Sequence, residues 1–179
     1  SIKEVDDYVV NLNDPTFFNS KNRFYKIGNT VFISVTGWYD LKCYEHLNFS
    51  FDEAKQEWYN IKRDSEYIKH DELFPWDYAE LEKQELSNLV NKFNSDDEIE
   101  NIIISTHMIP SNQFVQPRGI PEWDKSTPSY VNSFMVDEVL KENTNNKIKL
   151  WVYGHTHDRA DFTHKGVRFI NNARGYDIQ

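Results

Sequence analysis

The sequence contains one stretch, Leu150-Trp151-Val152-Tyr153-Gly154-His155-Thr156-His157-Asp158, in which an apolar run ends at a glycine and two histidines follow. The apolar run predicts a buried strand, and the glycine allows a sharp turn at its end. In extended backbone, residues two apart point to the same side, so both imidazoles would reach one small volume. Imidazole is a common metal ligand, and α/β sheets bind ligands beyond the carboxyl ends of their strands. The pattern therefore indicates a metal site, with a loop that happens to carry two histidines as the alternative.

The composition limits the class of protein. The 179 residues, of which 15% are aromatic, are enough for one domain with a substantial core. A formal net charge of -9 disfavours non-specific binding to nucleic acid, although a metal ion can still bring a phosphate group to an acidic protein. The single cysteine, Cys43, leaves no disulfide within the chain, so a reducing, cytoplasmic setting is expected. Neither a membrane span nor a signal peptide is predicted.

The hydrophobic periodicity predicts an α/β protein with a mixed β-sheet and helices on one face. Apolar runs bounded by turn residues indicate six strands, near residues 24–27, 31–36, 102–106, 148–153, 160–163 and 167–170. Residues 41–75 mix aromatic and charged side chains. They are interpreted as an inserted cap or loop segment, with a short helix at 51–58.

Two segments show the apolar periodicity of a longer helix. The first covers residues 77–93, with Asp77 as its expected N-cap. The second covers residues 128–142, with Thr127 as its cap and Pro128 at the first helical position. A strand, this second helix and a further strand then follow one another along the chain.

That order brings a third histidine towards the first two. A crossover of this kind places strands 102–106 and 148–153 parallel, and sequential elements are usually neighbours in a sheet. The carboxyl ends of the two strands, and with them His107 and the His155/His157 pair, are therefore expected side by side. Taken alone, His107 is better interpreted as a hydrogen-bonded histidine at a strand end. Three histidines at one edge of a sheet favour a metal site.

These histidines resemble motifs of the calcineurin-like metallophosphoesterases. Residues 154–157 (Gly-His-Thr-His) are similar to the last metal motif of that family, and Thr106-His107 resembles the single-histidine motif before it. The resemblance implies a two-metal centre that activates water for attack on phosphate mono- or diesters. It also implies that His107 and His155 ligate one metal and His157 the other.

Two further stretches extend the resemblance. Residues 31–40 resemble the family's strand that leads to a Gly-x-x-Trp turn. Residues 172–176 (Asn-Ala-Arg-Gly-Tyr) resemble an Asn-Pro-Arg-Gly-Tyr ending, with Ala173 in place of proline. Altogether the resemblance covers roughly residues 24–40 and 77–179.

Three earlier motifs of the family are absent, namely Asp-x-His, Gly-Asp-x-x-Asp and Gly-Asn-His followed by an acidic residue. No histidine has Asp two residues before it, no glycine precedes Asp, and Gly28-Asn29 is followed by Thr30. The chain also begins at Ser1 rather than Met. Residues 1–179 are therefore interpreted as a single unit, the carboxyl-terminal part of a longer domain and one half of an αββα sandwich. The catalytic residues and the bridging carboxylate are expected in the missing amino-terminal half.

The resemblance also sets the expected ligands. The parent enzyme would hold two divalent ions (Mn, Fe, Zn or Ni, with Mn favoured), and this chain at most one, because the bridging carboxylate is missing. The substrate would be a phosphate-ester small molecule or a nucleotide. Arg118, in the loop after His107, is a candidate to bind its phosphate, although an ordinary surface arginine is the commoner case.

Two functions remain open from the sequence. In the first, the parent protein is a metal-dependent phosphoesterase (a hydrolase), and this chain is its inactive carboxyl-terminal fragment. In the second, the chain is a non-catalytic scaffold or binding module that keeps the fold and a partial metal site. Without the missing half, the second face of the sheet would be apolar and exposed. Self-association or pairing with the missing half is therefore expected, with no membrane partner.

Overall fold

The computed structural model describes residues 8, 11, 22–47, 50–61, 73–115, 119 and 121–173. Its strands are β1 (Phe24–Ile27), β2 (Thr30–Val35), β3 (Asn101–Thr106), β4 (Ile148–Val152), β5 (Ala160–His164) and β6 (Val167–Asn171). Its α-helices are α1 (Phe51–Ile61), α2 (Pro75–Asn94), α3 (Pro121–Ser126) and α4 (Met135–Lys141). Short 3-10 turns lie at Lys42–Leu47, Asn112–Phe114 and Thr127–Tyr130. Among the described residues, no helix is long and apolar enough to cross a membrane.

The strands form one six-stranded mixed sheet in the order β1-β2-β3-β4-β6-β5, which confirms the predicted α/β class. The four central strands run parallel. The edge strands β1 and β5 are antiparallel to their neighbours and belong to tight hairpins. Gly28 in the first hairpin turn has φ +57°, which glycine adopts without strain. The parallel order brings four carboxyl ends to one edge of the sheet.

One face of the sheet forms the core beneath helices α2 and α4. The inward positions alternate along the strands, as a half-buried pleat requires; they include Val31, Ile33, Val35, Ile102 and Ile104. The helices contribute Leu86, Val90, Phe93, Met135, Val136 and Val139. Trp151 and Phe169 are fully buried and stacked, with ring centroids 5.7 Å apart. These apolar side chains drive the packing of the helices onto the sheet.

The other face of the sheet is partly open. Near the carboxyl ends of its strands, this face carries small polar residues, including Ser34 and Ser105. Two of its apolar side chains are exposed, Ile27 by 57% and Val152 by 36%. Further apolar side chains on this face are half-buried, namely Phe32, Ile103, Leu150 and Ile170. The described helices that contact the sheet lie on the opposite face, as predicted.

The prediction of a single helix at residues 128–142 is wrong. That segment is a 3-10 turn and helix α4, separated by residues 131–134. Val131 pairs with Ile109 in an isolated parallel bridge. The backbone N–H and the hydroxyl of Ser133 donate to the buried Asp40 carboxylate at 3.1 and 2.8 Å. These long-range contacts occupy the groups that a continuous helix would need.

The start of α2 also differs from the prediction. The helix begins at Pro75, which is favourable at the first helical position, and Phe74 is the N-cap. Asp77 is therefore the third helical residue and not the cap. Its carboxylate accepts a hydrogen bond from the Phe74 N–H at 2.8 Å. The helix thus starts three residues earlier than expected, and the Asp77 carboxylate stabilises that start from the third helical position.

Candidate metal centre

The carboxyl edge of the sheet brings two of the predicted histidines together. Strands β3 and β4 are parallel neighbours, with Ile104 opposite Trp151 and Ser105 opposite Val152. His107 follows β3 directly, and His155 lies three residues after β4. The expected adjacency of these two strands is therefore confirmed.

The two imidazoles are in direct contact. Nδ1 of His155 lies 3.0 Å from Nε2 of His107, and the rings are nearly perpendicular at 81°. In the absence of a metal, this distance fits one shared proton, with one nitrogen as donor and the other as acceptor. Two nitrogens bound to one metal at ~2.0–2.1 Å, as adjacent ligands, would be separated by roughly 2.9–3.4 Å. The pair therefore fits a shared divalent ion as well as a shared proton.

His155 reaches His107 through a tight turn of the backbone. The Thr156 N–H donates to the Gly154 carbonyl at 2.8 Å, and His155 between them has φ +65°. This is a γ-turn of the positive-φ type, which is rare for a residue with a side chain. Such a conformation costs about 1–3 kcal/mol and is typical of functional sites.

The same turn changes the prediction for His157. Because His155 is left-handed rather than extended, the rule that residues two apart share a side does not hold across it. His157 is exposed, and no three His, Cys, Asp or Glu side chains in the described ranges converge in a group that could hold a metal ion. The structure joins His107 to His155, and the role of His157 as a ligand stays a prediction.

Three residues that sequence reasoning missed hold the histidine loop. The buried Asn171 at the end of β6 donates from Nδ2 to the Thr156 carbonyl and hydroxyl at 2.9 and 3.1 Å. The ring of Tyr130 packs on the His155 imidazole with centroids 4.6 Å apart. Arg159 donates from Nε to the Ala173 carbonyl at 3.0 Å. Each contact joins residues that are 14 or more positions apart in the sequence, so no local sequence pattern predicts it.

His107 is fixed mainly through its backbone. The Thr36 carbonyl, just after β2, accepts both the His107 N–H at 3.0 Å and the Met108 N–H at 3.2 Å. The His107 carbonyl in turn accepts the Gly154 N–H at 3.1 Å. A Cβ at Gly154 would lie 3.6 Å from that carbonyl, in ordinary contact. Three strand ends are therefore bonded to one another at His107.

An open depression of about 360 Å³ adjoins His107. Its lining includes the Arg23 side chain and residues from the ends of β2 and β3, namely Ser34, Thr36, Ser105 and Thr106. The hydroxyl groups of Ser34, Thr36 and Ser105 can donate to or accept from a polar ligand, whereas the buried Thr106 hydroxyl already bonds to Met108 and Trp151. A polar small molecule could therefore bind beside the imidazole pair.

Two other ionisable groups near this edge are unsuited to chemistry at neutral pH. Burial raises the pKa of the Tyr153 phenol to about 12. Burial, together with the charge of Asp40, raises the pKa of the Cys43 thiol to about 12. Both groups therefore stay protonated, and neither serves as a base or a nucleophile. Arg118, the candidate phosphate ligand, lies outside the described residues.

The comparisons with known proteins concern the fold. No protein-family model matches the chain, and no curated protein matches it. Among solved structures, the chain is similar to the crystal structure of phosphopantetheinyl hydrolase from Mycobacterium tuberculosis, with a TM-score of 0.62 and 17% sequence identity. The match covers 95% of this chain and 60% of that chain. At this identity the likeness shows that the two share a fold, and the present chain spans about 60% of the length of the hydrolase.

Proposed function

We propose that this chain is the carboxyl-terminal part of a metal-dependent phosphoesterase of the calcineurin-like class, and that His107 and His155 bind one divalent ion. The observation that carries the proposal is the 3.0 Å approach of His155 Nδ1 to His107 Nε2 at the carboxyl edge of two parallel strands. This is where α/β sheets place ligands. The fold shared with a hydrolase is consistent with it.

The residues of this chain would bind and orient the reacting groups. His107 and His155 would supply two neutral imidazole nitrogens, and a proton held between them would have to move to the other nitrogen of its ring before both could bind a metal. Divalent ions bound there would supply a Lewis acid for water and for phosphoryl oxygens. The hydroxyl-lined depression beside His107 would hold part of a phosphate ester or nucleotide. This chain lacks the motifs that would supply a carboxylate bridging two ions. A second ion, bound by His157, is therefore proposed only for a longer protein that contains those motifs.

A non-catalytic scaffold with a partial metal site is the second candidate. It is favoured by one observation: within the described residues, no group of three potential ligands converges at any point. In that case the chain would bind at most one ion, and no gene product that contains it would hydrolyse a phosphate ester.

The two candidates predict different activities for the product of a longer open reading frame. If coding sequence upstream of Ser1 contains Gly-Asp-x-x-Asp and Gly-Asn-His, we expect its product to hydrolyse aryl phosphate mono- or diesters with Mn²⁺. The name of the similar hydrolase is a reason to include a phosphopantetheinyl ester among the substrates. His107→Ala and His155→Ala should each lower turnover by orders of magnitude while leaving the circular dichroism spectrum unchanged.

Residues 1–179 alone should show no useful hydrolysis in the same assay, because the bridging carboxylate and the leaving-group histidine are missing. An upstream reading without those motifs, or one that is inactive with every metal tested, would favour the scaffold. Turnover by residues 1–179 above that of the His155→Ala variant would show that the catalytic set lies within this chain.

A further inference from the structure

Helix α2 carries a carboxylate in the protein interior. Glu82 is only 4% exposed. Burying a charge is unfavourable unless the charge is paired and hydrogen-bonded. Arg23 supplies a partial counter-charge, with Nη1 3.5 Å from Oε1 of Glu82. A core position in a helix would ordinarily hold an apolar residue. The carboxylate therefore needs another explanation.

Glu82 binds the turn that follows β2. Its carboxylate accepts three successive backbone N–H groups, from Thr36 at 3.2 Å, Gly37 at 2.7 Å and Trp38 at 3.1 Å. The N–H groups converge because Gly37 is left-handed, with φ +70°. Successive amides arranged in this way form a concave anion site. In this protein the anion is a side chain from 44 to 46 residues further along the chain.

The same turn holds the backbone of His107. The Thr36 carbonyl accepts the N–H groups of both His107 and Met108. A Cβ at Gly37 would lie 3.1 Å from the Cβ of Thr106, the residue before His107, so the turn is closely packed against the end of β3. Any rotation of the Thr36 peptide would therefore move the origin of the His107 side chain.

We propose that Glu82 is a positioning residue for His107, acting through the Thr36–Trp38 turn to hold the imidazole at its distance from His155. This inference rests on the proposed metal site for its functional meaning. Outer groups that orient a metal ligand typically change metal affinity by about 10–100-fold when they are removed. Glu82 would act one step further out, through the backbone instead of the ring.

Glu85 provides a matched control. It lies three residues after Glu82 on the same helix, and its Oε2 is 3.4 Å from Nε of Arg23. Both carboxylates therefore contact the same arginine, and the three turn bonds are made by Glu82. Glu82→Gln and Glu85→Gln each remove one negative charge beside Arg23. Only Glu82→Gln replaces an oxygen acceptor facing the turn with an amide donor.

The test is titration of residues 1–179 with Co²⁺, followed by absorption spectroscopy. We expect Glu82→Gln to weaken Co²⁺ binding by about 10-fold and to alter the visible spectrum, and Glu85→Gln to match the wild-type protein in both. Wild-type affinity and spectrum in folded Glu82→Gln would overturn the proposal. If that variant does not fold, Glu82→Asp decides the matter, because it keeps the negative charge but withdraws the carboxylate from the turn by one methylene. We then expect weaker Co²⁺ binding than in the wild-type protein, and unchanged affinity would overturn the proposal.

A metal-free readout separates this inference from the proposed function. If the wild-type chain binds no Co²⁺, the metal site is wrong, yet Glu82 can still position His107. The imidazole nitrogen resonances of His107 and His155 should then shift in Glu82→Gln and stay unchanged in Glu85→Gln. Unchanged resonances in both variants would contradict the positioning role, whatever the outcome of the titration.

Discussion

Trp151 donates its indole N–H to the hydroxyl oxygen of Thr106 at 3.1 Å, in the buried layer between β3 and β4. The Thr106 hydroxyl in turn donates to the Met108 carbonyl at 3.0 Å. The Thr106 hydroxyl thus links the Trp151 side chain of β4 to the residues immediately before and after His107. This contact stabilises the strand pair whose ends carry both histidines.

Replacing Thr106 by valine should therefore destabilise the fold. The change keeps the side-chain shape, removes both hydrogen bonds and leaves the indole N–H without its acceptor in the interior. A buried unsatisfied group of this kind costs about 1–3 kcal/mol. Urea unfolding measures the loss, with Thr163→Val on the exposed side of β5 as the control. Equal unfolding midpoints for the two variants would show that the buried bond contributes nothing.

Removal of the Asn171 side chain should loosen the histidine loop. Asn171→Ala deletes both hydrogen bonds to Thr156, which help to hold the strained turn at His155. Metal affinity should fall by about 10-fold, as measured by calorimetric titration with Zn²⁺. Asn172→Ala changes the next residue, whose side chain is exposed, and should bind Zn²⁺ as the wild type does. Identical affinities for Asn171→Ala and Asn172→Ala would contradict this role.

The thiol of Cys43 should be unreactive in the folded protein. The residue is 1% exposed, and its pKa is raised to about 12 by burial, so almost no thiolate is present at pH 8. Reaction with a disulfide reagent should be slow in buffer and fast in urea. Rapid labelling of the native chain would show that this part of the core opens readily.

The same shift makes stability depend on pH. Because the folded-state pKa of Cys43 lies above its ordinary value of about 8.5, the unfolded state loses its thiol proton first as the pH rises. Below about pH 8.5 the thiol stays protonated in both the folded and the unfolded state, so it adds no pH dependence. Between that pH and about 12, mainly the unfolded state loses the proton, and unfolding becomes easier. Cys43→Ala should flatten this part of the stability profile. A slope equal to that of the wild type would assign the alkaline loss to other groups.

The open sheet face should make the isolated chain self-associate. Its exposed apolar side chains include Val152 near the histidine edge and Ile27 in β1. Val152→Asp should shift sedimentation towards the monomer, because a charge on this face opposes its burial. Leu81→Asp is the control, since Leu81 is 57% exposed on helix α2. A wild-type monomer that binds no hydrophobic dye would rule the association out.

The strands and the His107–His155 contact could be predicted because they depend on local or chain-order rules. Apolar runs between turn residues locate the strands, and sequential parallel strands usually lie side by side. The break at Val131 could not be predicted, because it depends on pairing with Ile109, 22 residues earlier. For the same reason the carboxylate of Glu82 reads as an ordinary helix residue until the turn that it binds is known.

The γ-turn at His155 shows a different limit. The glycine before it indicated a turn, but the sequence did not show that the histidine itself would adopt a positive φ. That conformation is held by Asn171 and Tyr130, which come from other parts of the chain. The assumption of extended backbone therefore placed His157 with His155. The long-range contacts that set the turn are what local pattern reasoning lacks.

The most direct test measures the metal content of residues 1–179 after equilibration with Zn²⁺ and gel filtration. One bound ion per chain is expected, since His107 and His155 provide a single pair of adjacent imidazoles. His107→Ala and His155→Ala should each abolish binding, whereas His164→Gln, at the opposite edge of the sheet, should retain it. Binding that survives both alanine substitutions, or two ions per wild-type chain, would contradict the metal site assigned to these two histidines.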